Sequence, residues 1–228
     1  MNIWDSLVSY ATDPDIWTGP GSVWERLLEH VAVSVAATLL AMILVFPLAL
    51  YLGHIRKGSR AASAVVNVGR AIPSFGILAI AFLLFVGMGM GVGQPWSILV
   101  ALVALAAPPI FTNTIAGIQS VPPATVEAAR GMGLTERGVL ATIELPLATQ
   151  LILEGVRIAF VQVIATATLG AIVAWGGLGR YIIDGFAVRD NGEILFGALA
   201  VGLLAVLAEI GFSAIQRKTT PKGLRVVR

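Results

Sequence analysis

Few side chains in this sequence could do covalent chemistry, and their spacing argues against it. His30 and His54 stand at the two edges of one apolar run, and neither belongs to an HExxH or comparable ligand pattern. Cysteine is absent, which removes thiolate nucleophiles, disulfides and Cys-based metal sites. The glycine run Gly87, Gly89, Gly91, Gly93 superficially resembles a dinucleotide loop, but it lies between two apolar runs with no strand before it. No GxxxxGK[ST] phosphate loop occurs, so the chain does not cradle nucleotide phosphates in that way. No paired acid or Ser/His pair falls inside an apolar run, which disfavours an intramembrane enzyme. The expectation is a chain with no catalytic residue, no metal site and no cofactor of its own.

The residues whose spacing does suggest work run from Pro122 to Pro146. Proline suits the first turn of a helix, so Pro122-Pro123 marks a helix start. Glu127 sits near that start, where the helix dipole favours negative charge. Ala128 and Ala129 keep one face thin. Gly131 and Gly133 can end the helix, and Leu145-Pro146 breaks the segment that follows. These residues spell a short, small-faced helix between two apolar runs, of the kind that docks into a groove on another protein. The competing reading is an ordinary solvated loop containing a helical turn.

Polar residues inside the apolar runs form a second set. Pro108-Pro109 stands mid-run, where it must free backbone carbonyls and kink the helix. Thr112, Asn113 and Thr114 follow within a turn and have two roles open to them: satisfying the freed groups, or lining a pathway. Glu209 is the one acid well inside a run, which points to gating or a pore. It also lies about 12 Å along a helix from Arg217, near enough to an interface for simple structural pairing. Gln162, Thr166 and Thr168 are weaker members of the set. Glu154 and Arg157, three residues apart, can pair on one helical face.

Composition determines which elements carry these residues. Hydrophobic residues make up 57% of the 228 and charged residues 12%, against about 25% charged in soluble domains. So few charges cannot cover a soluble domain of this length, so the solvent is lipid. Five stretches are long and apolar enough to cross a bilayer core of about 30 Å: 31–53, 71–92, 97–116, 158–176 and 194–215. The expected fold is an all-α, polytopic membrane helix bundle. Segment 1–30 lies outside it, 31–216 forms the transmembrane body with the 119–157 connection inside it, and 217–228 is a basic tail. Segment 1–30 reads as a loop leading to a short amphipathic helix around 23–30, and its Asp5, Asp13 and Asp15 are unlike a secretory signal. Connection 55–70 reads as an extension of the second span. Connection 119–157 alternates small, apolar and charged residues at helical spacing.

Basic residues give the orientation. One set of connections carries Arg56, Lys57, Arg60 and Arg70, then Arg130, Arg137 and Arg157, then Arg217, Lys218, Lys222, Arg225 and Arg228. The other side holds only Arg26, Arg180 and Arg189. Positive charge stays in the cytoplasm, which places the N-terminus outside and the C-terminus inside. Trp4, Trp17, Trp24, Trp96 and Trp175 all fall on the outer side, as interfacial indoles do; cradling a cationic solute is the functional alternative. A net charge of +2 with one short basic tail offers no face for nucleic acid.

Glu127-Ala128-Ala129, three residues, Gly133, nine residues, Ile143, one residue, then Leu145-Pro146 resembles the EAA motif of binding-protein-dependent ABC importers. The chain is identified on that motif as similar to their inner-membrane permeases. The resemblance implies a type I ABC importer permease fold and makes this loop the coupling helix, seated in a cleft of an ATPase subunit. Glu127, Ala128, Ala129 and Gly133 would make that contact, with Ile143, Leu145 and Pro146 supporting the following turn. It also implies a solute-binding protein, a second permease subunit, and ATP with Mg held by the partner ATPase. Five spans are too few to enclose a wide pathway alone, which also argues for a second membrane subunit.

From about Glu29 to Leu224, further segments resemble the osmoprotectant subfamily, whose members import glycine betaine, choline, carnitine or related solutes. They are Arg70-Ala71-Ile72-Pro73-Ser74, the stretch Pro108 to Gly117, Gly176-Gly177-Leu178-Gly179 continuing to Asp184, and Thr220 to Leu224. Related methionine permeases share the Gly-Gly-Leu-Gly element and remain the alternative. A passive channel is a more distant reading.

Overall fold

The computed structural model describes residues 2–69 and 72–219, apart from the Arg60 side chain. The roles expected of Arg60, Arg70, Lys222, Arg225, Arg228 and the 220–224 segment lie outside the described residues.

Helices make the framework among the described residues. α1 (Ile3–Ala11) precedes α2 (Val23–Ile55), α3 (Ser59–Val68), α4 (Ser74–Gly87) and α5 (Trp96–Gln119). Then come α6 (Pro123–Gly131), α7 (Glu136–Val139), a π-turn at Leu140–Glu144, α8 (Leu145–Ala167), a 3₁₀ segment at Thr168–Val173, α9 (Gly179–Val188) and α10 (Asn191–Thr219). Among the described residues four helices are long and apolar enough to cross a membrane: α2, α5, the continuous rod Glu136–Val173, and α10. The chain is therefore a multi-pass membrane protein.

The span expected at 71–92 contains a helix of only 14 residues, α4, or about 21 Å. Beyond Gly87 the backbone turns, with Gly89, Gly91 and Gly93 at φ near +80°, a region that ends a helix. The helix expected at 23–30 is not separate but forms the first two turns of the 33-residue α2. Segment 1–30 is not a bare loop either. Asn2 and Asp5 form a reciprocal capping box that starts α1. Connection 55–70 is not a continuation of the next span: it holds its own helix, α3, set off by left-handed Arg56 and Gly58. Connection 119–157 ends earlier as a loop than expected, since α8 begins at Leu145.

The core is built where α2, α5 and α8 meet, with Ala37, Ala41, Ala101, Ala106, Ala159 and Ala167 among its buried residues. Small side chains let helices in lipid approach closely, which is where packing attraction is gained when burial from water is not the driving force. Gly155 on α8 is an instance between α8 and α5: a Cβ there would lie 2.7 Å from the Pro109 carbonyl oxygen. Along α10 only Gly192, Gly197 and Val201 are buried, so most of that helix faces outward.

Candidate functional site

α6 is built from its own turn chemistry. Pro122 is the N-cap and Pro123 the first helical residue, where a missing N–H costs nothing. The helix ends in a Schellman turn. Leu134 N–H donates to the Ala129 carbonyl at 3.2 Å and Gly133 N–H to the Arg130 carbonyl at 2.9 Å, with Gly133 at φ +87°. Below it, Val121, Val126, Ala129 and Val139 form a small core with Leu134 and Ile143. The motif is thus divided by direction. Ala129 and Ile143 face this core, whereas Glu127, Ala128, Gly131 and Gly133 face out beside Met132, which is 73% exposed. Met132 escaped the sequence reading because nothing in its type or spacing marks it.

Leu140–Glu144 forms a π-turn in which Leu145 N–H reaches the Leu140 carbonyl. The wider turn suits Pro146, which has no N–H to give the preceding turn and sits exposed in the first turn of α8. Leu145 packs on Ile118, Ala148 and Ile152. The same turn directs Glu144 inward, where its carboxylate is fully buried against His54 Nδ1 on the last turn of α2. His54 Nε2 meets Glu136 Oε2 at 2.9 Å, and Arg130 grips Glu136 through Nε and Nη2, both at 2.9 Å. That grip by Glu136 raises the Arg130 pKa above its usual range. Arg56 donates to the Val121 carbonyl at 2.6 Å and Gln119 Nε2 to Ser59 Oγ at 2.9 Å. Both bonds tie the ends of α2 and α3 to the root of this loop.

Within the bundle, Thr112 Oγ1 donates to the Pro108 carbonyl at 2.8 Å and Asn113 Nδ2 to the Pro109 carbonyl at 2.9 Å. These are not the carbonyls that the prolines strip of donors; those belong to Ala104 and Leu105, one turn earlier. Ala104 and Leu105 line a recess of about 200 Å³ together with Gly69, Ser74, Pro108 and Gln162. Gln162 has no hydrogen-bond partner among the described residues. Glu209 lies elsewhere, 3.1 Å from Arg157 Nη1. Arg157 also holds Glu154 at 2.5 Å, and Gln216 donates to Glu154 at 3.0 Å, so this cluster fastens α10 to α8. Thr168 bonds the Ala165 carbonyl at 2.8 Å, within its own turn.

At the opposite end of the bundle, the Gly176–Gly179 element is packed against α2. Glu29 Oε2 accepts from Gly177 N–H at 2.7 Å, and buried His30 bridges the Ile164 carbonyl and the Leu178 N–H. Gly179 has no room for a side chain, since a Cβ would lie 2.3 Å from the Thr168 carbonyl oxygen. Trp175 is not interfacial as expected but 7% exposed, because Gly170 and Gly177 open a slot for its ring. Trp4, Trp17, Trp24 and Trp96 are exposed. Tyr10 of α1 packs edge-on to Tyr181, and burial, reinforced by Glu193, raises its phenol pKa well above the usual range.

The chain resembles proteins already characterised. It is 34% identical over 208 residues to a glycine betaine/carnitine/choline transport system permease protein of Bacillus subtilis, covering 91% of this chain and 93% of that one. A choline transport system permease protein of the same organism is 33% identical with the same coverage. A carnitine transport permease protein of Listeria monocytogenes is 33% identical, covering 88% of this chain and 89% of its own. In fold, an inward-facing MetNI methionine ABC transporter matches with a TM-score of 0.77 at 22% identity, over 90% of this chain and all of the other. An amino acid ABC transporter matches with a TM-score of 0.73 at 18% identity, over 93% and 98%. Residues 45–222 fit the family of binding-protein-dependent transport system inner membrane components, and with that fit and those relatives the chain belongs to that family.

Proposed function

We propose that this chain is the membrane permease of an ATP-driven importer for a small quaternary-ammonium osmoprotectant such as glycine betaine, choline or carnitine. The observation that carries the reading is the likeness, over about nine-tenths of both chains, to permeases named for those solutes. The methionine alternative is favoured only by likeness of fold, at 22% identity.

In this reading α6 docks on an ATPase subunit that holds ATP and Mg. Its exposed face of Glu127, Ala128, Gly131 and Met132 offers small side chains, one charge and one adaptable apolar contact. Solute arrives from an extracytoplasmic binding protein and crosses beside a second permease subunit. The N-terminus lies outside and the 119–144 connection inside, in keeping with the distribution of basic residues. The recess at Gln162 belongs to the pathway, because an unpartnered amide at membrane depth is costly against lipid and is satisfied by water or a polar solute.

Cells lacking their own osmoprotectant importers, given this chain with its ATPase and binding protein, test the assignment. Growth at high osmolarity should be restored by glycine betaine or choline. Rescue of methionine uptake with none by betaine would move the chain to the methionine importers.

A further inference from the structure

Glu144 occupies the one unspecified position between Ile143 and Leu145 of the motif, yet it is the most deeply placed acid of the loop. Its side chain is fully buried, Oε2 meets His54 Nδ1, and Oε1 has no hydrogen-bond partner among the described residues. A carboxylate in such surroundings needs a compensating charge. His54 is the side chain that meets it. Both ring nitrogens face carboxyl groups, Glu144 on one side and Glu136 on the other, so the ring bridges the two. Glu136 is in turn clasped by both edges of the Arg130 guanidinium at the end of α6. Arg130, Glu136, His54 and Glu144 therefore form a continuous polar chain, and the first three line a cleft of about 450 Å³ together with Arg56 and Tyr51.

Its two ends lie in the loop and its middle on a membrane-crossing helix. Arg130 lies on α6 and Glu144 in the π-turn that leads into α8, while His54 is on the last turn of the membrane-crossing α2. A π-turn is a place where helices bend, and beyond the Arg56 bond that holds the root of the loop, His54 is what fastens its far end to α2. We propose that His54 is a positioning residue for transport: it is the strut by which displacement of α6 is carried to α2. This rests on the reading of α6 as the ATPase contact.

The test uses the whole complex, permease with ATPase and binding protein, in proteoliposomes, and reads solute moved per ATP hydrolysed together with ATPase retention. Glu144→Gln keeps a hydrogen bond to the ring and removes the buried charge; it should keep at least about half the wild-type stoichiometry. Adding His54→Ala cuts the strut without leaving a buried charge. That double variant should assemble and hydrolyse ATP while solute moved per ATP falls about fivefold or more. Wild-type stoichiometry in the double variant overturns the proposal. So does a loss of uptake that only parallels loss of bound ATPase, since that is a merely structural role. Glu127→Lys is run alongside. If it keeps its ATPase and full uptake, the reading of α6 falls. If it loses them while the His54 variants stay fully coupled, only the strut falls.

Discussion

Gly133→Ala isolates the backbone requirement of the α6 turn. Gly133 has φ +87°, and a Cβ there would meet no heavy atom of the described residues within 4 Å beyond its chain neighbours. The substitution therefore carries no clash, and its whole cost is conformational, about 1–2 kcal/mol for an L-residue held in the left-handed region. That shifts the ratio of closed to open turn by roughly 5–30-fold. What opens is the pair of bonds from Leu134 to Ala129 and from Gly133 to Arg130, and with them the small core that sets the angle of Glu127 and Ala128. Asparagine visits this region at lower cost, so Gly133→Asn should sit between the wild type and alanine. No membrane-crossing helix is altered, and the amount of protein in the membrane should not change. The assay is ATP-dependent uptake with co-purification of the ATPase in mild detergent. Uptake by the alanine variant should fall measurably, by at most the roughly 5–30-fold shift of that ratio, and recover substantially in the asparagine variant. Equal loss in both would shift the cause from backbone to bulk at the docking face, and full uptake by the alanine variant would refute the reasoning.

Three further expectations rest on other parts of the molecule. A single cysteine at Gly58 should be shielded from an impermeant thiol reagent in intact cells and one at Asn191 labelled; the opposite pattern would reverse the orientation. Glu209→Gln should cost about 1 kcal/mol or less, because its side chain is 46% exposed in the pair with Arg157, and should leave uptake intact. Loss of uptake at unchanged stability would instead assign Glu209 to gating. Gly179→Ala should lower unfolding stability in detergent by about 3 kcal/mol, since its Cβ would press on the Thr168 carbonyl at 2.3 Å, whereas Gly202→Ala, with nothing within 4 Å, should be near neutral.

The membrane class and most of the long helices were legible because lipid selects composition over whole runs, and no tertiary detail is needed to see it. Helix ends were less so. Nothing in the apolar pattern of 71–92 reveals that Gly89, Gly91 and Gly93 take positive φ and cut α4 to 14 residues. Conversely, the Asn2 and Asp5 capping signature of α1 was present and went unread. The small-faced helix was legible from Pro122-Pro123 and Gly133 because its turn chemistry is local. Its anchorage was not, since His54 and Glu144 are 90 residues apart and only folding brings them together. Trp175 misled for the same reason: its slot is made by Gly170 and Gly177, and an indole in sequence looks alike whether buried or interfacial.

The most direct measurement is accumulation of labelled choline and glycine betaine by proteoliposomes containing this chain, its ATPase and its binding protein, with ATP or ADP on the ATPase side. The account requires accumulation against a gradient with ATP, none with ADP, and none when the ATPase or the binding protein is omitted. Equal entry with ATP and ADP, or entry without the ATPase, would mark a passive channel and contradict it.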